Sequence, residues 1–175
     1  VEISNRHIWV LQLQGSSSTA IMNELSSGRI TNEMEYYSAD YYHLGDQRIF
    51  VSRTGYTNEI GFELYCEPTI DHKKLWNDLL SVGSKYGMEI SSTRAMTIRR
   101  IEGGIRENLV DMSALVNPFE VGLGQFVDLN KNEFIGRGAL GKNECGQLLY
   151  GIKVNAMVPE IGRKIFKSEK VAGTI

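Results

Sequence analysis

Several kinds of residue and motif are scarce in this chain, and each scarcity excludes something. Only two cysteines, Cys66 and Cys145, occur in 175 residues, and they lie far apart. They fit a reducing compartment such as the cytoplasm and offer no metal-ligand spacing. The three histidines, His7, His43 and His72, show no mutual spacing for a metal or a catalytic triad and read as structural or surface residues. Neither charge sign is in excess: 19 Lys+Arg stand against 21 Asp+Glu, for a net charge of -2 and a pI near 6.0. That balance argues against a dedicated nucleic-acid binder and against a polybasic membrane-surface module. No apolar run approaches the roughly 18 residues that span a bilayer, and the first residues form no signal-peptide pattern. No P-loop, no G-x-G-x-x-G after a strand, no G-x-S-x-G and no C-x-x-C is present, which excludes the usual nucleotide and serine hydrolases.

What remains is an ordinary globular composition, 42% apolar and 23% charged. It suffices for a core without disulfides or a metal, in one domain or two small ones. The chain opens at Val1 without a methionine and closes on residues 171–175, which read as strand. The expectation is therefore a piece from the middle of a longer polypeptide.

Periodicity predicts a strand at 8–13, closed by Gly15, then a helix at 20–25 with candidate caps among Ser16, Ser17 and Ser18 and a stop at Gly28. Two tyrosine pairs, Tyr36-Tyr37 and Tyr41-Tyr42, mark a strand over 34–43. A turn at Leu44-Gly45-Asp46-Gln47 leads into a strand at 48–53. Asp40 and Asp46 are explained by turns. A strand at 62–66 follows, with Phe62, Leu64 and Cys66 on one face. A helix opened by Pro68 runs to about Tyr86, its stripe of Leu75, Trp76, Leu79, Leu80 and Val82 directed at the core. Gly87 ends it and 88–90 reads as a short strand. Residues 93–101 form a further helix, and 105–120 a crossing segment. Asn117-Pro118-Phe119-Glu120 starts a short helix, 126–129 and 148–154 read as strands, and 133–140 opens another helix. Residues 161–175 read as a hairpin with its tip at 167–170. The expected architecture is α+β: a ferredoxin-like antiparallel sheet with helices on one face over 1–92, a helical and crossing segment over 93–146, and the incomplete start of a C-terminal β-barrel domain over 147–175.

The most specific local feature is a glycine-bracketed loop, Arg53-Thr54-Gly55-Tyr56-Thr57-Asn58-Glu59-Ile60-Gly61-Phe62-Glu63. Glycines at both ends permit close approach of a ligand. Glu63 alternates away from Phe62 and Leu64. Lining a cleft, its carboxylate would accept two N–H donors from a planar heterocycle such as a pterin or purine edge. Tyr56 is placed to pack on the same ring. The alternative is a tight hairpin with a solvated glutamate. Arg94, Arg99 and Arg100 form a basic cluster, either a solvated helix face paired with acids or an anchor for a carboxylate tail.

Four blocks then point to a family. Ser52-Arg53-Thr54-Gly55-Tyr56-Thr57-Asn58-Glu59-Ile60-Gly61-Phe62-Glu63-Leu64-Tyr65 resembles the S-R-T-G-Y-T-G-E-x-G-[FY]-E-[IL]-Y signature of the glycine-cleavage T-protein (aminomethyltransferase) superfamily. Leu11-Gln12-Leu13-Gln14-Gly15 resembles its L-x-L-Q-G-P turn, and Arg100-Ile101-Glu102-Gly103-Gly104 its R-L-E-A-G. Asn117-Pro118-Phe119-Glu120-Val121-Gly122-Leu123, with Asp128 and Phe134-Ile135-Gly136-Arg137-Gly138-Ala139-Leu140, resembles T-P-x-E-x-G-L … D-F-I-G-R-x-A-L. The blocks fall in the family's order over most of residues 8–140.

The resemblance implies a three-domain cloverleaf around tetrahydrofolate and transfer of a one-carbon unit to it, from a small-molecule donor or a lipoylated carrier protein. Carried over by position, Glu63 would hold the pterin ring and Tyr56 would line its pocket. No catalytic residue is assigned. The family's catalytic aspartate lies upstream of anything matching Val1, so the chain alone is expected to be inactive. Met96 stands where the glycine-cleavage enzymes carry a folate-contacting arginine. The run Thr93-Arg94-Ala95-Met96 is closer to the dimethylglycine/sarcosine branch, with Arg94 as the replacement cation. Asn108-Leu109 replaces a Tyr-Gly, and Asn58 replaces a glycine that Asn mimics well. The alternatives are a folate-dependent demethylase of dimethylglycine, sarcosine or dimethylsulfoniopropionate type, and a non-catalytic folate-binding module.

Overall fold

A computed structural model describes residues 7–142, 146–155 and 159–175; Cys145 lies outside them. The chain divides into two compact units, one reaching to Glu107 and one from Asn108 to Ile175.

The first unit is an α+β layer. Its strands are β1 (Trp9–Gln14), β2 (Ala39–Leu44), β3 (Gln47–Ser52) and β4 (Gly61–Cys66); its helices are α1 (Ser18–Leu25), α2 (His72–Ser84) and α3 (Thr93–Glu102). The strands form one antiparallel sheet in the order β1-β4-β3-β2. Period-two alternation divides its residues between two faces. On one face Leu13, Ile49, Val51, Phe62, Leu64 and Cys66 are buried against Ile21, Met22 and Leu25 of α1 and Leu75 and Leu79 of α2. This is the core, and both helices lie on its side, as the apolar stripes require. The opposite face carries Gln12, Phe50, Ser52, Glu63 and Tyr65 at register positions 12↔63, 50↔65 and 52↔63.

Most elements sit where the sequence places them, and the exceptions have local causes. The strand at 34–43 starts only at Ala39, because Ser38 bonds back to the Glu35 carbonyl through both N–H and hydroxyl and Tyr37 takes a left-handed φ of 67°. Helix α2 starts at His72 rather than near Pro68. Residues 67–70 close a turn instead, and the Asp71 carboxylate caps the helix by accepting from the Lys74 N–H at 2.9 Å. Trp76 is not in the core: it is 39% exposed. The expected strand at 88–90 does not form. The Met88 N–H closes the end of α2 on the Gly83 carbonyl, and no backbone bond joins 88–90 to a strand among the described residues. The ferredoxin-like completion of the sheet rested on that strand.

The second unit holds α4 (Arg137–Leu140), a 3-10 turn at Gly124–Phe126, and a hairpin of β5 (Lys164–Lys167) and β6 (Lys170–Thr174). Ser168 and Glu169, both at positive φ, turn the hairpin where a tip was expected. Asn117 opens a capping box: its Oδ1 accepts from the Phe119 and Glu120 N–H groups while Glu120 Oε2 accepts from the Asn117 N–H. The helix expected there stops after one turn, since Gly122 is left-handed (φ 73°) and the Leu123 N–H returns to the Pro118 carbonyl. The strand expected at 126–129 is instead the 3-10 turn followed by a turn on Asp128, whose carboxylate accepts from the Asn130 N–H. The strand expected at 148–154 does not form; the Leu149 N–H instead donates to the Glu120 carbonyl.

Glu120 therefore ties together its own turn and the chain at 146–149. Backbone N–H groups of Asn117, Gly146 and Gln147 hold its carboxyl below the ordinary carboxylate range, against a smaller upward push from burial. A depressed native value adds stability above the unfolded value, lost as pH falls through the native one. An NMR titration is expected to place the Glu120 midpoint below that of a free glutamate, with the Asn117, Gly146 and Gln147 amide shifts moving together at that midpoint.

Candidate functional site

The glycine-bracketed loop is built around a side chain of β1. The Gln14 amide nitrogen donates to the carbonyls of Thr54 (3.2 Å) and Phe62 (3.3 Å), and its Oε1 accepts from the Thr57 hydroxyl at 2.9 Å. Two carbonyls on one end and a hydroxyl on the other fix the amide's orientation. A Cβ at either Gly55 or Gly61 would overlap the Gln14 carboxamide. The glycines thus serve a close approach, as the sequence suggested, but the approaching group is Gln14. The Gly15 N–H and the Ser18 hydroxyl both reach the Ile60 carbonyl, at 2.7 and 3.1 Å, and fasten the far end of the loop.

The R-I-E-G-G block meets the same loop. A Cβ on Gly103 would collide with Asn58, which holds the left-handed φ of 60° expected of it. Arg99 pairs with Glu59 and Glu102, and the Tyr56 hydroxyl donates to the Arg106 carbonyl at 2.7 Å. Two blocks distant in sequence, 11–15 and 100–104, therefore converge on residues 53–63.

This frame delivers Glu63 to the open face of the sheet. Its Oε1 accepts from Gln12 at 3.1 Å; its Oε2 accepts from the Thr54 hydroxyl and from the Tyr65 hydroxyl at 3.3 Å. Ser52 adds a hydroxyl 2.8 Å from that of Thr54. Beside the carboxylate runs an aromatic row. The Phe50 ring lies 5.8 Å from Tyr65 and 5.1 Å from Tyr41, edge to face, and the Arg48 guanidinium stacks on Tyr41 at 3.8 Å. Burial pushes the Tyr65 phenol up, and the Glu63 charge pushes it further. Tyr36 is raised by burial, by its neighbour Tyr37 and by Glu63, so it belongs to the same surroundings.

Of the residues singled out from sequence, Glu63 stands at the centre of this face. Tyr56 is half-buried in the adjoining loop, tied to the 104–107 turn. Arg94 is exposed at the start of α3 and makes no hydrogen bond or ion pair with another described residue. Arg99 is a surface pair, as in the first reading of the basic cluster, whereas Arg100 fits neither reading: it is 2% exposed and pairs with Glu107 at 2.8 Å. The sequence reading missed Gln12, Gln14, Tyr36, Phe50, Thr54 and Tyr65 as site residues. Tyr65 was within reach, since it lies two residues from Glu63 on one strand; Gln12, Gln14 and Phe50 depend on register across strands, and Tyr36 and Thr54 on the path of the loops.

The comparisons agree with the four blocks. The family described as the GCVT N-terminal domain matches residues 1–131. The chain belongs to the glycine-cleavage T-protein family. An aminomethyltransferase of Lysinibacillus sphaericus is 32% identical over 94% of this chain and 46% of its own length. One from Caldanaerobacter subterraneus is 34% identical over 82% of the chain and 39% of its own length. One from Aquifex aeolicus is 31% identical over 94% and 43%. The chain thus spans a little under half the length of these T-protein relatives, all of them transferases by name. No helix among the described residues is long and apolar enough to cross a membrane.

The Gln14 plug predicts a non-additive pair. Gly55→Ala alone should cost about 1–3 kcal/mol through overpacking. In a Gln14→Ala background the added methyl has room, so the double variant should lose clearly less than the sum of the two single losses. Urea denaturation of the four proteins checks this; strict additivity would remove Gln14 from the role given to it.

Proposed function

We propose that this chain is the pterin-holding part of a tetrahydrofolate-dependent aminomethyltransferase of the glycine-cleavage type. The observation that carries the reading is Glu63, a carboxylate held in place by Gln12, Thr54 and Tyr65 on an otherwise aromatic, open sheet face. The residues present fit the group. A carboxylate has about four acceptor positions, and three protein donors occupy Glu63. Oε1 carries one of them, from the exposed Gln12, so it has room for a ring N–H. A second donor takes the place of Gln12 or of the long Tyr65 contact. Phe50, Tyr65 and Tyr36 offer ring faces and edges for the heterocycle, and Tyr56 closes the loop side.

Bound tetrahydrofolate would supply the nucleophilic nitrogen that takes up the one-carbon unit. The chain's part is positioning: Glu63 fixes the ring's orientation through its N–H edge, and the aromatic row excludes water from one side. No described side chain here is an activated nucleophile, in keeping with direct transfer. The aminomethyl donor on a lipoylated carrier, and the carboxylate assisting transfer, belong in this reading to protein outside residues 1–175, and the chain alone is inactive. The hairpin at 164–174 opens the C-terminal barrel domain, and the protein works in the cytoplasm. Arg94, exposed and uncommitted, is the cation offered to the folate carboxylate tail.

A demethylase acting on a methylated amine such as dimethylglycine or sarcosine is the second reading. Met96, on the wall of a cleft beside β1, favours it: the thioether occupies the position where the glycine-cleavage branch has an arginine.

Calorimetric titration of tetrahydrofolate into the chain and into Glu63→Gln tests the first claim. Loss of a charge-assisted acceptor at about 1.5–3 kcal/mol corresponds to roughly a 10- to 150-fold weaker affinity. Equal affinities in the two proteins, or no heat in either, would overturn the assignment of the pterin to this carboxylate.

A further inference from the structure

Strand β1 is the end strand of the sheet, with β4 on one side and no strand among the described residues on the other. An edge strand offers unpaired N–H and C=O groups along its free side, and proteins usually guard such edges with charges, prolines or bulges. The opposite edge, β2, carries Asp40 and His43. Residues 8–14, Ile8-Trp9-Val10-Leu11-Gln12-Leu13-Gln14, carry no charge and no proline, and Ile8, Trp9 and Val10 are 40, 55 and 46% exposed.

Beside this edge lies a cleft of about 600 Å³ whose apolar lining includes Leu11, Trp76, Leu80, Met88 and Met96. It continues past Trp9 and Trp76 into a second hollow floored by Cys66. The far wall is the segment 88–93 and the first turns of α3. The cleft thus has a wall on each side, β1 on one and this segment on the other, the setting of one added strand. The exposure of Trp76, which helical periodicity directs inward, is explained if its covering layer comes from elsewhere.

We propose that the cleft receives one extended, largely apolar strand from the part of the polypeptide outside residues 1–175, added to the free edge of β1. The backbone of β1 would supply the hydrogen bonds, and Trp9, Leu11 and Trp76 the seats for alternate side chains. The Lysinibacillus sphaericus relative has more than half of its length outside the matched region, ample for such a strand.

The chain has two tryptophans, Trp9 and Trp76, both at this groove, so their fluorescence reports on it alone. Overlapping synthetic peptides tiling the unmatched part of the Lysinibacillus sphaericus aminomethyltransferase are titrated into the 175-residue chain. One stretch is expected to shift the emission to the blue and saturate. The Met96→Lys variant, changed on the far wall and checked for an unaltered circular dichroism spectrum, is expected to bind it at least tenfold more weakly. No shift with any peptide, an equal shift with scrambled versions, or unchanged affinity in Met96→Lys would each overturn the proposal.

Discussion

The Gln14 carboxamide holds the first unit's functional end together. It fills the space that two missing Cβ atoms leave and satisfies two loop carbonyls and one hydroxyl. A partly buried amide is costly to leave without partners, so the loop cannot move away from β1 without losing all three bonds. Because Phe62 is both a Gln14 partner and the residue before Glu63, the lock on the loop is also a lock on the carboxylate. The position of Glu63 is thus inherited from a residue on a neighbouring strand.

The two sides of the sheet divide the labour. One is sealed by α1 and α2 and supplies the stability. The other keeps a carboxylate, the Thr54 and Tyr65 hydroxyls and an aromatic row within reach of solvent. Burying Phe62, Leu64 and Cys66 forces Glu63 and Tyr65 outward, because β residues alternate. Packing the core and presenting the site are one consequence of one pattern.

The strands, the first three helices and the α+β class were legible because hydrophobic period and glycine punctuation are local signals. Glu63 was legible for the same reason: alternation with Phe62 and Leu64 needs no knowledge of the partner strand. Gln14 was not, since nothing in residues 11–15 says that its amide will lie between Gly55 and Gly61. The glycines were correctly read as a close approach, but sequence cannot say by what. Trp76 misled because a helical stripe shows which residues share a face, not whether that face is covered along its whole width. The strands expected at 88–90, 126–129 and 148–154 failed together for one reason: a strand exists only with a neighbour to pair with, and apolar content does not provide one.

The central claim is that the open sheet face around Glu63 is the surface that meets the pterin. Amide chemical-shift mapping of the isotopically labelled chain on addition of tetrahydrofolate tests it most directly. Perturbations are expected to concentrate at Gln12, Phe50, Ser52, Thr54, Glu63 and Tyr65, with the amides of α1 and α2 unmoved. Shifts confined to the helix side of the sheet, or to the cleft beside α3, would contradict it.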